Sequence, residues 1–295
     1  MKPALIKLHV AVFLWGFTGV LGRLISLDAF LLVWYRMLIT VASLLFLMFL
    51  RKELQRIPLQ KMLQLFGIGA LVAGHWITFY GSIKIANVSI ALTCLSSAGF
   101  FTAFLEPLFF NRRINTVEIL LGLLAIGGIY LIFHFDSHYR LGILVGIASA
   151  LLSVLFSLMN KKVVTTVAPK TMMLYELSGG WIVLTLALPV FLRFFPPRAF
   201  VPGAEDWGWL LLLSWACTVL AMDLSLQALK KITAFTQNLT LNLEPVYGII
   251  LAFVVYHENK NLSAGFFAGF ALIILAVVLQ TVLVVYKTKR FVMVE

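Results

Sequence analysis

AFLLVWYRMLITVASLLFLMFL, residues Ala29–Leu50, is an apolar run broken by a single charge, Arg36. An α-helix needs about 20 such residues to cross the roughly 30 Å of hydrocarbon in a bilayer, so this run reads as one membrane-spanning helix. Nine similar runs accompany it, giving spans at 4–24, 29–50, 63–83, 88–110, 117–134, 141–159, 171–192, 207–228, 232–256 and 264–286. The bilayer core holds no water, so each span must satisfy its own backbone hydrogen bonds, which a helix does. The longest connection, about 193–206, contains Pro196, Pro197, Pro202 and Gly203 and is too short for a separate domain. The expected class is an all-α polytopic membrane protein with ten transmembrane helices, whose work is done inside the lipid bilayer.

Composition agrees. A mean hydropathy of +1.02 with 62% apolar residues excludes an ordinary soluble domain, in which about 45–50% of residues are apolar. The net charge of +11 suggests nucleic acid until its distribution is followed along the chain. With the N-terminus in the cytoplasm, the pairs Arg51-Lys52, Arg112-Arg113, Lys161-Lys162 and Lys230-Lys231 all fall on cytoplasmic connections. The opposite side keeps only Arg23, Lys84, Arg140, Arg193, Arg198 and Lys260. That asymmetry follows the positive-inside rule and predicts a plasma-membrane protein with both termini cytoplasmic, not a nucleic-acid partner.

The first span has too long an apolar region, and no small-x-small site before Arg23, to be a signal peptide. Cys94 and Cys217 lie within spans, where a free thiol behaves as a small hydrophobe, so neither a disulfide framework nor a thiolate metal site is expected. The sequons at Asn87, Asn238 and Asn261 read as chance, Asn238 being inside a span.

The chain also repeats itself. Lys84 and Lys230 each precede an apolar span, Asn115 and Asn261 each close the junction that follows, and both pairs are 146 residues apart. Tyr35-Arg36 matches Tyr175-Glu176 at an offset of 140, the longer proline-containing connection absorbing the difference. Five spans per half is an odd number, so the second half enters from the other side. The expectation is two inverted five-helix repeats, 1–138 and 139–295, with a substrate site near the midplane between them. Leu105-Glu106-Pro107 and Leu243-Glu244-Pro245 look alike, but their offset is 138, so they are similar words in different places.

Leu14-Trp15-Gly16, Tyr35-Arg36, Ala228-Leu229-Lys230, Leu243-Glu244-Pro245 and Glu258, in this order and on a five-plus-five frame, resemble the EamA-type members of the drug/metabolite transporter superfamily. The resemblance spans nearly the whole chain. It implies a ten-helix fold and carriage of small organic solutes, often metabolite or amino-acid efflux, without naming the solute. Arg112-Arg113 stands where such repeats often end in Gly-Glu, so no role of Glu258 carries over to that junction.

Ionisable groups inside a span cost several kcal/mol unless paired or hydrated, which makes each a functional candidate. Arg36, eight residues into its span, is the sharpest. With its repeat mate Glu176 it reads either as a carboxylate clamp or gate for substrate, or as a structural ion pair tying the repeats together. Glu244 precedes Pro245, which removes a backbone N–H and frees the Leu241 carbonyl. With Gln237, Asn238 and Asn242 it forms a polar stripe that lines either a cavity or an interhelical contact. His75, Trp76 and Tyr80 suit a pocket for an aromatic solute or a plain hydrogen-bonded core, and Trp15 beside Gly16 suits an indole aimed inward. Glu106 and Asp223 read as partners of nearby Arg112 or Arg113 and of Lys230 or Lys231. Gly142-x-x-x-Gly146 and Gly265-x-x-x-Gly269 are small-residue faces, the latter one route to a homodimer.

No catalytic motif is present: no His-Glu-x-x-His, Gly-x-Ser-x-Gly or phosphate loop. His134-x-Asp136-x-His138 lies in a connection where interfacial polar residues are expected, and neither metal nor cofactor is predicted. Transport by alternating access around a central cavity is the leading function. A proton gradient acting through Glu244 is one coupling; a facilitative uniporter, or an intramembrane enzyme, is the alternative.

Overall fold

Runs with no polar face have nothing to turn toward water, and in the computed structural model they fold as helices. Residues 2–111, 113–164, 166–229, 240–241 and 243–292 are described. The helices are α1 (Lys2–Leu24), α2 (Ala29–Leu50), α3 (Leu59–Ile85), α4 (Val88–Leu95), α5 (Ala98–Phe110), α6 (Thr116–Phe135), α7 (Arg140–Val163) and α8 (Pro169–Phe194). They continue as α9 (Ala204–Ser214), a π-helical turn (Trp215–Leu220), α10 (Ala221–Leu229), α11 (Glu244–Tyr256) and α12 (Ala264–Val292). Among the described residues there is no strand. Eight helical segments among the described residues are long and apolar enough to cross a membrane, and Glu244–Tyr256 and Ala264–Leu279 are shorter apolar helices.

The helix ends follow local chemistry. Asp28, Asn87 and Asn115 stand before α2, α4 and α6, and each side chain accepts from an amide of the first turn, Leu31, Ile90 and Val117 respectively. Asn87 is therefore a buried cap. Asn111 and His257 end α5 and α11 in the left-handed conformation, with φ of 49° and 53°.

Three expected spans differ from simple rods. The run 88–110 breaks at Ser96–Ser97 into α4 and α5. The run 207–228 contains the π-helical turn. In the run 232–256 the helix is broken ahead of Pro245: Thr240 and Leu241 are helical, Leu243 is a turn, and Glu244 begins α11 with Pro245 in its first turn, where the missing N–H breaks no bond. Gln237, Asn238, Asn242, Arg112, Lys230 and Lys231 lie outside the described residues.

The helices approach through glycines. α3 packs along α7 and α8, α6 along α12, and α1 along α10 and α11. A Cβ on Gly69 of α3 would lie 1.8 Å from the Glu176 carbonyl oxygen of α8, and one on Gly180 would lie 2.6 Å from the Gly69 carbonyl oxygen. Gly128 and Gly269 meet in the same way: a Cβ on either would lie 2.5 or 2.3 Å from the other's carbonyl oxygen. This corrects the dimer face read from Gly265-x-x-x-Gly269: Gly265 packs on Phe135 and Gly269 on Gly128, so α6 already occupies it. Phe46, Phe49, Leu186 and Val254 point outward, as lipid-facing side chains do.

Candidate functional site

Arg36 sits on the eighth residue of α2, about 10 Å along the helix from Ala29 at 1.5 Å per residue, and its side chain turns into the bundle with 3% exposure. Trp76 of α3 lies under its plane, 3.7 Å from guanidinium carbon to ring centre. Arg36 Nη1 donates to Tyr80 Oη at 2.7 Å, while Nε and Nη2 donate to Thr218 Oγ1 at 3.1 and 2.9 Å. Thr218 Oγ1, within the π-helical turn, in turn donates to the Leu213 carbonyl at 2.9 Å. The hydroxyl is thus saturated, accepting twice and donating once. The Arg36 carbonyl accepts from Thr40 at 2.8 Å and Ser214 at 3.2 Å, fixing the backbone beneath the side chain.

Around this centre, His75, Tyr80, Cys217 and Glu244 are all within electrostatic reach of Arg36. Glu244 belongs in the first turn of α11, where a carboxylate meets the positive end of the helix dipole. His75 Nδ1 lies 3.0 Å from the Ser149 carbonyl and 2.8 Å from Ser149 Oγ. Its ring stands between those of Phe156 and Phe79, at 5.5 and 6.2 Å.

The expected Arg36–Glu176 pair is not formed. Both are the eighth residue of their helices, but α2 and α8 start from opposite ends of the bundle: Glu53, just past α2, bonds Lys170 in the first turn of α8 at 2.9 Å. Two groups eight residues in from opposite ends are staggered by two to three helical turns, roughly 11–16 Å. Glu176 instead accepts from Asn160 Nδ2 at 3.1 Å and is 2% exposed. Trp15 also sits apart, in a small cluster with Leu8, Val12, Ala228 and Tyr247, while Gly16 beside it touches Tyr247 and Gly248 where α1 crosses α11. Of the polar stripe, Leu241 and Glu244 are described and Asn238 is not.

Other expectations resolve into packing. Glu106 pairs with Lys161 of α7, not with Arg113 beside it in sequence, because α5 lies against α7. Asp223 accepts from Gln227 at 2.6 Å. Asp136 accepts from Ser263 N and Oγ at 3.2 and 2.6 Å, ahead of α12, so the His134–Asp136–His138 stretch is committed to a helix start.

The two ends of the bundle differ. At the end away from Lys2, buried Glu258 accepts from Val88 N, Ser89 N and Ser89 Oγ at 3.1, 2.8 and 2.6 Å and pairs with Arg23. Arg23 also lies over the Tyr256 ring at 4.3 Å. Asp206 accepts from Ser26 N at 2.7 Å, Tyr256 Oη donates to the Val20 carbonyl at 2.8 Å, and Lys84 donates to the Ile25 carbonyl. This end is pinned. The other holds a cleft of about 230 Å³ among Met48, Glu53, Gln55, Lys170, Asp223 and Gln227.

Thr218 and Ser149 were invisible as site residues. A threonine or serine in an apolar span carries no sequence signal until its helix is placed.

The sequence profile of the EamA-like transporter family matches residues 2–134 and again residues 140–282. Among curated proteins, none matches the sequence significantly. One solved chain, described only as a crystal structure of a protein, aligns over 96% of this chain and 98% of its own, with a TM-score of 0.65 and 16% identity. At that identity the likeness is one of fold alone.

Proposed function

The chain belongs to the EamA-like transporter family, and from that premise we propose that it carries small organic solutes across the membrane by alternating access around Arg36. The observation that supports this most is the buried guanidinium, held between Trp76, Tyr80 and Thr218 and within electrostatic reach of Glu244. A charge so placed is expensive unless function requires it. The pinned end at Arg23–Glu258 and the cleft at the other end fit a state closed on one side. Ten crossings, two inverted repeats at 1–138 and 139–295, cytoplasmic termini in the plasma membrane and export of metabolites or amino acids complete the reading.

Topology is tested by reporter fusions. Fusions after Arg198 and Lys260 should report the external side, and those after Lys61 and Arg113 the cytoplasm. A cytoplasmic signal after Arg198 defeats the inverted repeat.

Transport is tested by counterflow of labelled metabolites into liposomes containing the purified protein, at several pH values. The expected result is protein-dependent exchange of at least one solute. If a proton is coupled through Glu244, net uptake varies with pH, and Glu244→Gln abolishes that dependence while exchange persists. A pH-independent wild type leaves facilitated diffusion as the mechanism. No exchange across a broad solute panel defeats the transporter reading.

A further inference from the structure

We propose that the solute presents a single carboxylate to Arg36 and lays an apolar, aromatic body beside Trp76. This rests on the transporter reading above and narrows it to organic monoanions.

The charge of Arg36 lacks a matching partner. Of the 12 acidic residues in the sequence, all but Glu295 are described, and the undescribed stretch 230–239, together with position 242, contains none. Among the described residues, no carboxylate lies within 4.0 Å of the guanidinium: the ion pairs are Arg23–Glu258, Lys161–Glu106 and Lys170–Glu53. Glu244 is within electrostatic reach without forming such a pair. Arg36 is held instead by two neutral hydroxyls and an indole face. A guanidinium buried without a counter-charge costs several kcal/mol, and binding an anion removes that cost.

Hydrogen-bond arithmetic points the same way. A guanidinium has five N–H groups. Nε–H and one from Nη2 go to Thr218, and one from Nη1 goes to Tyr80. One N–H on each terminal nitrogen has no acceptor among the described residues. Two such groups on neighbouring nitrogens are what a carboxylate meets bidentately.

The valence of the anion follows from the single charge of Arg36: a monoanion matches it one to one, whereas a dianion would leave a net negative charge buried in the bundle. The walls set the rest of the molecule: Trp76 on the guanidinium face, Phe79 one turn further along α3, and the ring of neighbouring His75 against Phe79 and against Phe156 of α7. At 3% exposure Arg36 is occluded, so the solute reaches it when one end of the bundle opens.

The test varies the ligand, so it does not depend on a variant that folds. Thermal stabilisation of the detergent-solubilised wild type is measured with 3-phenylpropionate, 3-phenylpropionamide and 3-phenylpropylamine, and the same compounds are run in counterflow. The acid should stabilise and exchange, the amide should bind at least about tenfold more weakly, as the loss of a charge-assisted hydrogen bond implies, and the amine should be inert. Arg36→Lys should narrow the gap between acid and amide. Equal binding of acid and amide, preference for the amine, or no binding of the acid overturns the carboxylate assignment. If counterflow then finds a neutral or cationic solute exchanging, the transporter reading stands without it; if no solute exchanges, both fall.

Discussion

Arg36→Lys is expected to lose about ten- to a hundredfold in transport while the protein still folds and reaches the membrane. The guanidinium makes three hydrogen bonds at once and stacks on Trp76. An ammonium is a point charge with no planar fork, so it cannot serve Thr218, Tyr80 and a bound anion together. Each hydrogen bond to a charged group contributes about 1.5–3 kcal/mol, which sets the factor expected. Arg36→Ala goes further: it leaves two buried hydroxyls without their partner, so stability falls along with transport. Exchanging the charges, Arg36→Glu with Glu176→Arg, is expected to rescue nothing, because Glu176 is held by Asn160 at another depth. The measurements are initial counterflow rates at matched protein content and melting temperature in detergent. Full transport by Arg36→Ala would remove this residue from the site altogether.

Gly69→Val is expected to produce the largest loss of stability of any single substitution in the helix crossings. A Cβ there would lie 1.8 Å from the Glu176 carbonyl oxygen and 2.7 Å from the Gly180 amide, both backbone atoms that cannot rotate away. The only relief is to separate α3 from α8. Overpacking a well-formed contact costs about 1–3 kcal/mol and more where backbone must move, and helix association in a bilayer depends on close packing because lipid is as apolar as the side chains. Gly67, two residues earlier, has nothing within 4 Å of where its Cβ would stand, so Gly67→Ala is the silent control. Size-exclusion profiles and melting temperatures should separate the two variants. Equal melting temperatures would mean that the α3–α8 crossing is not the close contact described.

Glu258 shows how a residue quoted for one reason serves another. It stands out in sequence as the acidic end of a span. In the folded protein its carboxylate caps α4, supplying the acceptors that Val88 N and Ser89 N lack within their own helix. The same carboxylate joins that helix start to Arg23 at the end of α1. Three segments distant in sequence meet on one side chain.

The apolar runs, the choice of helix and the transporter family were legible from the chain alone. The reason is that crossing hydrocarbon is a local requirement: about 20 apolar residues with self-satisfied backbone suffice, whatever their neighbours do. Arg36, Trp76, Tyr80 and Glu244 could be nominated on the same ground, since an ionisable or aromatic group in such a run is conspicuous. Depth and rotation about each helix axis are not local. Arg36 and Glu176 looked like partners because they match as repeat mates at an offset of 140 residues, yet antiparallel helices put matching positions at unequal depths. Thr218 is a partner of Arg36 by tertiary placement: it lies in the π-helical turn at Trp215–Leu220, far from α2 in sequence, and its hydroxyl meets the guanidinium. Glycine contacts likewise decided that Gly265 and Gly269 face α6 inside the protein. Apolar sequence chose the solvent; the packing of backbone on backbone chose which polar groups meet.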